Sequence, residues 1–467
     1  MTQPATYHDD RDEFSPELKY IGQGGPIPVS HSDLVPEVEP FREALTKAWV
    51  SKGEPLTDDV HNGTMRGLWK SLNSIYNGKR SSSWMYLTGK KNAVVLSKTN
   101  AKKLIIEEGK ATGVEVIGPD GQTYSFQAKN EVIVSLGVFE SPKLLMLSGI
   151  GPEAELKKFG IDPVVKSENV GQNLLDHPIL PHVFKMKDGF GLDNHLLRNG
   201  LEKDAALSAY RWKNKGPFTS GLLELVGLPR IDKLLEKNPE YVAFKKANGD
   251  VDPFGPGGQP HFEIDFVPMF SDAFQWHIPT PARGDYLTVI VDLLRPLSKN
   301  GTVTLNSTDP LEQPKVNINF FSHDLDLIAL REGVRFVDDI LLNGEGMKDV
   351  LVEDYPWPMP RHSDEAMEIL IKERSQTGFR KQTFRSAILD CYTNYSSSRP
   401  LRDCADRQGH QARRRRLEAQ GFWDRQPSRD RRLCYSSNSR LSYPELGLHD
   451  CREGKISSLT IEDISRY

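Results

Sequence analysis

The stretch that most constrains the fold of this chain is the segment Glu131–Pro152. Its first five residues, Glu131–Ser135, form a short β-branched run of the kind that makes a buried strand. Gly137 follows, where the absence of a side chain lets the backbone turn. Ser141 and Pro142 then match a helix start, with a hydroxyl N-cap before proline at the first helical position. A strand, a glycine turn and a helix N-terminus in succession present backbone amides to an anionic cofactor in open α/β sheets.

This segment closely resembles the second signature of the glucose–methanol–choline (GMC) flavin oxidoreductases, and further stretches in the family's order support the likeness. Gly24–Ile27, with Val29 and Ser30, resembles the family's Gly-Pro-Ile entry. Gly171–Pro178 resembles its Gly-x-Asn-Leu-x-Asp-His segment, and Pro296–Pro310 the start of its second conserved block. The resemblance runs from about residue 20 to about residue 378. Several motifs in the family's order are more specific evidence than the signature alone, for which the alternative is an ordinary strand–helix unit.

The resemblance implies a mixed α/β (α+β) chain with two domains and a tail. Residues 1–178 would form part of an FAD-binding, Rossmann-like domain. Residues 179–378 would form a substrate domain, whose antiparallel sheet backs the cavity over the flavin ring, and the start of the C-terminal block. Ala101 matches a residue that lends its backbone to the adenine half of FAD, and Ser135 and Gly137 lie in the signature, so we expect these three to contact the cofactor.

The implied reaction is oxidation of a CH–OH group in an alcohol or sugar-like donor. A base removes the hydroxyl proton while hydride passes from carbon to FAD, and oxygen or another acceptor then takes the electrons. The base should be an imidazole whose pKa lies near neutrality, within hydrogen-bonding distance of the substrate hydroxyl.

The glycine-rich phosphate loop of the family cannot be read near the N-terminus. Gly22, Gly24 and Gly25 are not a dinucleotide fingerprint, because no strand precedes them and Pro26 follows at once. We therefore expect that Met1 falls about a hundred or more residues into a full-length relative, and that the missing loop removes much of the binding energy for FAD.

The catalytic histidine motif of the family is also unreadable. After Gly378 the only histidines are His410 and His449, and neither precedes proline. The sequence therefore assigns no catalytic residue.

Composition changes abruptly near the same point, and residues 379–467 form an aberrant tail that we predict to be disordered. Residues 1–379 hold 29 Lys and 13 Arg, whereas residues 380–467 hold 2 Lys and 16 Arg and all four cysteines. When residues 422–435 are back-translated and the reading frame is moved by one base, permitted codons encode the family's Leu-Arg-Val-x-Asp-Ala-Ser segment. The same shift at residues 449–454 permits codons for the start of the family's closing helix. We infer that the chain is translated out of frame from a point between residues 379 and 420 onward.

Several other features have more than one reading. His177, after Asp176, fits a structural residue at the domain crossover better than a catalytic group. Asp58 and Asp59, with Asn62 and Gly63, match either a family loop near the substrate cavity or a solvated turn.

Charge and hydropathy bear on partners. The net charge of -4 gives no global case for nucleic-acid binding, and no run approaches the roughly 18 apolar residues of a membrane span. The run Arg413–Arg416 is the sole support for a basic-tailed binding protein, and the cysteines lack the Cys-x-x-Cys pair of a zinc site, so we expect no metal.

The compartment is not defined by the sequence. A FAD-dependent alcohol oxidoreductase and a non-catalytic remnant of one are the leading readings.

Periodicity predicts the elements around these motifs. The predicted helices are 37–54, 152–159, 201–211, 228–237, 324–342 and 365–377. The predicted strands are a meander at 93–96, 103–106, 113–117 and 123–127, a short strand at 161–165, and one antiparallel sheet of 261–267, 286–294, 302–305 and 315–320.

Overall fold

The structure is a computed structural model that describes residues 27–31, 35–57, 60, 63, 65–271, 278–377 and 432–433. Its helices are α1 (Glu39–Ser51), α2 (Gly137–Leu147), α3 (Glu153–Lys158), α4 (Leu201–Lys213), α5 (Asp232–Leu235), α6 (Pro239–Ala247), α7 (Asp324–Asn343) and α8 (Asp364–Arg374). Its strands are β1 (Ser30–His31), β2 (Gly67–Lys70), β3 (Leu72–Asn73), β4 (Ile75–Tyr76), β5 (Lys79–Arg80), β6 (Ala93–Val94), β7 (Asn100–Glu107), β8 (Lys110–Ile117), β9 (Thr123–Gln127), β10 (Ile150–Gly151), β11 (Val165–Lys166), β12 (Pro178–Met186), β13 (Leu225–Leu228), β14 (Phe262–Val267), β15 (Asp285–Leu293), β16 (Thr302–Thr304), β17 (Lys315–Asn317), β18 (Leu351–Tyr355), β19 (Gln376–Thr377) and β20 (Arg432–Leu433).

The described residues divide into two compact units that interleave along the chain. The first unit takes those up to Tyr86, those from Leu175 to Asn300, and those from Ile318 to Thr377. The second takes Leu87–Leu174 and Gly301–Asn317, together with β20. The contiguous domains at 1–178 and 179–378 stay a prediction. The described residues up to Tyr86 and the segment Gly301–Asn317 each pack with residues distant in sequence.

The first unit is built on a seven-stranded sheet with the order β18-β12-β15-β14-β13-β2, in which β19 also pairs with β12. Every ladder in it is antiparallel. The predicted long strands at 261–267 and 286–294 are confirmed as β14 and β15. The other strands of this sheet could not be predicted from sequence spacing, because β2 joins the sheet from more than 150 residues upstream of β13.

One face of this sheet is covered by helices. Phe262 and Phe266 point to that face, where a side chain on Gly333 of α7 would collide with the Phe262 ring. The indole of Trp49 on α1 meets Phe266 edge-on at 6.4 Å and Phe336 of α7 at 5.7 Å. Because side chains alternate along a strand, Glu263 and Asp265 point to the opposite face.

Helix α7 is the most deeply buried helix of the described chain. Its predicted bounds, 324–342, are confirmed to within a residue. His323 caps its first turn, accepting the Leu325 N–H at 3.3 Å. Within the helix, the buried Asp326 carboxylate accepts the N–H groups of Leu297 and Ser298, each at 2.7 Å, and so holds the chain beyond β15.

The second unit contains the meander β7-β8-β9, as predicted for 103–127, whereas the strand predicted at 93–96 forms only β6 and lies outside the meander. Helix α2 packs on it through a cluster of Leu104, Leu144 and Ile150. Inside this cluster the Ser148 hydroxyl accepts the Leu104 N–H at 2.8 Å and donates to the Leu144 carbonyl at 2.6 Å.

Two predictions about the signature segment are wrong. Residues 131–135 form no strand, and the Ile133 side chain is 60% exposed. A strand needs a neighbour to pair with, and the described chain places none beside this run. Helix α2 also begins at Gly137, a turn before the predicted start, with Pro142 inside it. The Ser141 hydroxyl accepts the Leu136 N–H at 3.1 Å instead of capping a helix that starts at Pro142.

Other expectations differ in detail. Strands β16 and β17 pair with each other in the second unit and do not extend the large sheet. The region 228–237 contains only the short helix α5 after β13, and α6 was not predicted. Of the tail, the structure describes only β20, which pairs in parallel with β6. The cysteines, His410, His449, Arg413–Arg416 and the Asp58–Asp59 pair lie outside the described residues.

A search of the described helices found none that is both long and apolar enough to cross a bilayer.

Candidate functional site

Acidic side chains gather on the face of the large sheet that points away from α1 and α7. Glu263 of β14 is the register partner of Asp292 of β15, and Asp265 lies two residues along β14 from Glu263 on the same face. Directly opposed side chains in an antiparallel pair have Cβ atoms about 5 Å apart, so like charges there are destabilising. We call Glu263, Asp265, Asp292 and the neighbouring His177 the carboxylate cluster.

His177 supplies the cluster's positive charge. Its Nδ1 lies 3.1 Å from one Asp292 carboxylate oxygen and 3.3 Å from the other. Burial alone would lower the pKa of His177, but the hydrogen bond and negative charge of Asp292 outweigh it and raise that pKa. The adjacent Asp176 accepts the His177 backbone N–H at 2.9 Å, and burial raises the pKa of the Asp176 carboxyl.

One imidazolium does not compensate three carboxylates. Burial raises the pKa of Glu263 to about 7, with the charge of Asp292 adding to the effect. Burial also raises the pKa of Asp265 well above its usual range, and the charges of Glu263 and Asp292 add to that shift. The cluster therefore binds protons near neutral pH.

Asp265 has a further anomaly. Its Oδ1 atom is buried without a hydrogen-bond partner among the described residues. A buried acceptor left unpaired costs about 1–3 kcal/mol, and more if it is charged, so the neutral carboxylic acid is the form this environment favours.

The predicted cofactor contacts all lie in the second unit. Gly137 is the first residue of α2 and has φ +85°, a conformation that L side chains rarely adopt. A β-carbon built on it would have no atom within 4 Å, so the backbone here borders open space. Leu136, at the N-cap, offers no side-chain oxygen to the first turn. The start of α2 therefore presents bare backbone to that space.

Ser135 and Ala101 complete the predicted set. Ser135 is exposed, two residues before Gly137, in the run that forms no ladder. Ala101 lies in β7 opposite Val116 of β8, and the register shifts between Ala101 and Lys103. Such irregularities free a backbone group from the ladder, which suits the backbone contact implied for Ala101.

These residues fit part of an FAD site. The open space at Gly137 would admit a planar ring or a phosphate close to the backbone. Ala101, Ser135 and Gly137 would hold such a group by backbone contacts. No glycine-rich turn after a strand is found among the described residues, so the phosphate-binding half of the site is not represented in them.

A second acid–histidine group could suggest a metal centre. Ligand atoms of Asp232, Asp252 and His261 lie within 4.8 Å of one another. Arg230, however, donates to Asp232 at 2.8 Å and forms a close ion pair with Asp252. His261 accepts the Ile231 N–H on Nδ1 at 3.2 Å, so its Nε2 carries a proton and donates to Asp252 at 2.9 Å. The arginine already supplies the cation, and this group is a structural network.

The carboxylate cluster was not predicted from the sequence, although part of the signal was present. Both strands were predicted, and two acids at alternate positions of β14 had to share a face. What spacing could not reveal is the register that sets Glu263 against Asp292. His177 was interpreted as structural, and that interpretation stays a prediction.

Comparison with known families extends these observations. Two family models described as GMC oxidoreductase match the chain, an N-terminal one over residues 7–179 and a C-terminal one over residues 296–380. Together they cover more than half of it.

Individual relatives are similar over much of the same region. The structure of a formate oxidase variant from Aspergillus oryzae RIB40, studied for FAD modification, is 54% identical, with a TM-score of 0.79, and the match covers 81% of this chain and 66% of that one. Oxidoreductase cicC of Emericella nidulans is 31% identical over 332 residues, which is 68% of this chain and 52% of the relative. An oxygen-dependent choline dehydrogenase of Sinorhizobium fredii is 31% identical over 330 residues, 68% of this chain and 53% of the relative. The chain spans about half the length of the curated relatives it matches.

Proposed function

Because this chain belongs to the GMC oxidoreductase family, we propose that it forms the central part of an FAD-dependent oxidoreductase that removes hydride from a small carbon donor, with formate as the first candidate. The observation that carries the choice of donor is the 54% identity to a formate oxidase over 81% of the chain. Family membership indicates FAD as the cofactor.

The reaction balances with one proton taken up. Formate, oxygen and a proton give carbon dioxide and hydrogen peroxide. Bound FAD would supply the acceptor for the hydride and the route of the electron pair to oxygen. The chain's own residues must therefore admit a small anion and hold a proton.

The carboxylate cluster is suited to the second task. Its sheet is the one that the family resemblance sets behind the substrate cavity. Glu263, with a pKa of about 7, carries a proton in a fraction of molecules at neutral pH. Burial raises the pKa of Asp265 well above its usual range and so favours the neutral acid, which does not repel an anion. We assign to Glu263 the role of proton store and to His177 the role of holding Asp292.

An alcohol or sugar-like CH–OH donor is the second candidate, and the similarity to choline dehydrogenase favours it. Such a donor would release a hydroxyl proton, which the cluster could accept only with Glu263 ionised. A non-catalytic fragment is the third candidate, favoured by the lack of a phosphate-binding glycine turn among the described residues.

Flavin spectroscopy separates these candidates. The full chain, purified with excess FAD, would be tested for retained flavin absorbance and for anaerobic bleaching by formate, methanol or choline. Bleaching by formate, with peroxide formed on admission of air, supports the first candidate. Bleaching only by an alcohol supports the second, and a colourless protein supports the third.

A further inference from the structure

Helix α4 carries an apolar stripe on its outer face. Leu201 is 84% exposed and Trp212 is 82% exposed, at opposite ends of the helix. Eleven residues amount to about three turns, so the two side chains lie on the same face about 16 Å apart along the axis. Ala205 and Ser208, both exposed, lie between them on that face.

The opposite face already anchors the helix to its own unit. Ala206 is buried there, and the Tyr210 ring lies 6.2 Å from the buried Phe218 ring. The packing of α4 therefore does not use the outer stripe, which leaves two large apolar side chains in water. Two large exposed side chains on one helix face, with small residues between them, give an apolar surface that a partner can cover.

Charged residues flank the stripe in a symmetric pattern. At 100° per residue, Glu202 and Lys213 lie along one side, and Asp204 and Arg211 along the other. All four are exposed, and none has an ion-pair partner within the described part of the chain. On each side the acid is near the N-terminus of α4 and the base near its C-terminus.

We propose that the outer face of α4 is a docking surface for a second copy of this chain, with the two α4 helices packed antiparallel about a two-fold axis. In that arrangement Leu201 of each copy packs against Trp212 of the other. Ala205 and Ser208 meet at the crossing point, where small side chains allow close approach of the helices.

Charge complementarity selects the partner and the direction. In an antiparallel pair, flanking residues on one side face the same side of the other copy. Glu202 then faces Lys213, and Asp204 faces Arg211. Both pairs are centred on the same point, between Leu207 and Ser208, so a single two-fold axis satisfies both. A parallel arrangement would put acid against acid.

The size of the contact sets its strength. Two exposed anchors per copy and their flanking charges bury less than the roughly 1,200 Å² at the lower limit of stable interfaces. The dimer should therefore be weak, depend on concentration, and weaken further in high salt, where exposed ion pairs are screened.

Sedimentation velocity on the full chain tests the proposal, from about 1 to about 100 µM, across the micromolar range that suits a weak interface. We expect dimer formation in this range. Trp212→Ser should abolish it, whereas Trp84→Ser, which removes an indole that is 62% exposed elsewhere in the same unit, should not change it.

Charge reversal tests the direction of packing. Asp204→Lys and Arg211→Glu should each weaken association about tenfold or more, because each sets like charges against each other, and the double variant should restore it. Thermal melts would show that each variant is folded. A monomer at every concentration, or a dimer unaffected by Trp212→Ser and by the charge reversals, would overturn the proposal.

Discussion

Glu263 and Asp292 face each other directly across the β14–β15 ladder, on the sheet face opposite the one that packs against α1 and α7. Directly opposed cross-strand side chains are normally apolar or of opposite charge, whereas both members of this pair are acids. Because burial and the charge of Asp292 raise the pKa of Glu263, this carboxyl gains a proton when the chain folds near neutral pH.

The first prediction is that the free energy of unfolding falls as pH rises from about 4.5 to about 7. Glu263 ionises near 4.5 in the unfolded chain and at about 7 in the folded one, so the folded state holds the extra proton in that window and loses its advantage above it. Glu263→Gln should remove on the order of 3 kcal/mol of this decline. Urea denaturation at pH 5 and pH 8 measures it.

The matched control is Glu240→Gln, an exposed carboxylate on α6, which should leave the decline unchanged. Parallel pH curves for Glu263→Gln and the unmodified chain would contradict the assignment.

The second prediction concerns the His177–Asp292 pair. The folded pKa of His177 is raised, so its ion pair contributes fully below about pH 6.5 and the contribution is lost as pH rises through the folded value. His177→Asn should destabilise the protein by about 1–3 kcal/mol at pH 6 and by less at pH 9. Equal destabilisation at both values would show that the imidazole acts only by packing.

The third prediction separates the backbone role of Gly137 from a cofactor role. Gly137→Ala should cost about 1–2 kcal/mol, the strain of a left-handed L-residue, since no atom lies near the new methyl group. It should also weaken FAD binding about tenfold by filling the space beside the backbone.

Gly160→Ala is the control, because Gly160 also has positive φ, +67°, and open surroundings in the same unit. It should show a similar stability loss with FAD affinity unchanged in fluorescence titration. Equal affinities for the two variants would remove Gly137 from the cofactor site.

The fourth prediction concerns Asp326. Its buried carboxylate accepts two backbone N–H groups, and an asparagine there would turn an amide donor towards one of them. Asp326→Asn should destabilise the protein by about 2–4 kcal/mol. Asp339→Asn on the same helix removes the charge from a carboxylate that is 55% exposed, pairs with Lys52 and accepts a hydrogen bond from Asn343 at 3.2 Å, and it should cost less than about 1 kcal/mol, as thermal melts would show.

The fifth prediction concerns the tail. Sequencing the transcript together with the genomic locus should reveal an indel or an unrecognised intron between codons 379 and 420, after which the reading frame regains the family's His-Pro block. Reads that reproduce codons 379–467 without either change would refute the frame-shift hypothesis.

Much of the local structure could be predicted because it depends on short-range pattern. The alternation in β14 and β15 and the 3.6-residue period of α7 each specify an element from neighbouring residues alone. The strand predicted at Glu131–Ser135 is wrong because the prediction also used local pattern alone. Its β-branched residues favour a strand only if a pairing partner exists.

The sequence by itself determined the family, the cofactor that the family indicates and the glycine at the turn into α2, because ordered motifs and backbone requirements are written in residue identity. Only the tertiary structure decided that Glu263 opposes Asp292, that β2 closes the large sheet and that β16 and β17 belong to another unit. These depend on strand register and on contacts between segments far apart in the chain, which burial and pairing energies settle collectively and no local pattern records.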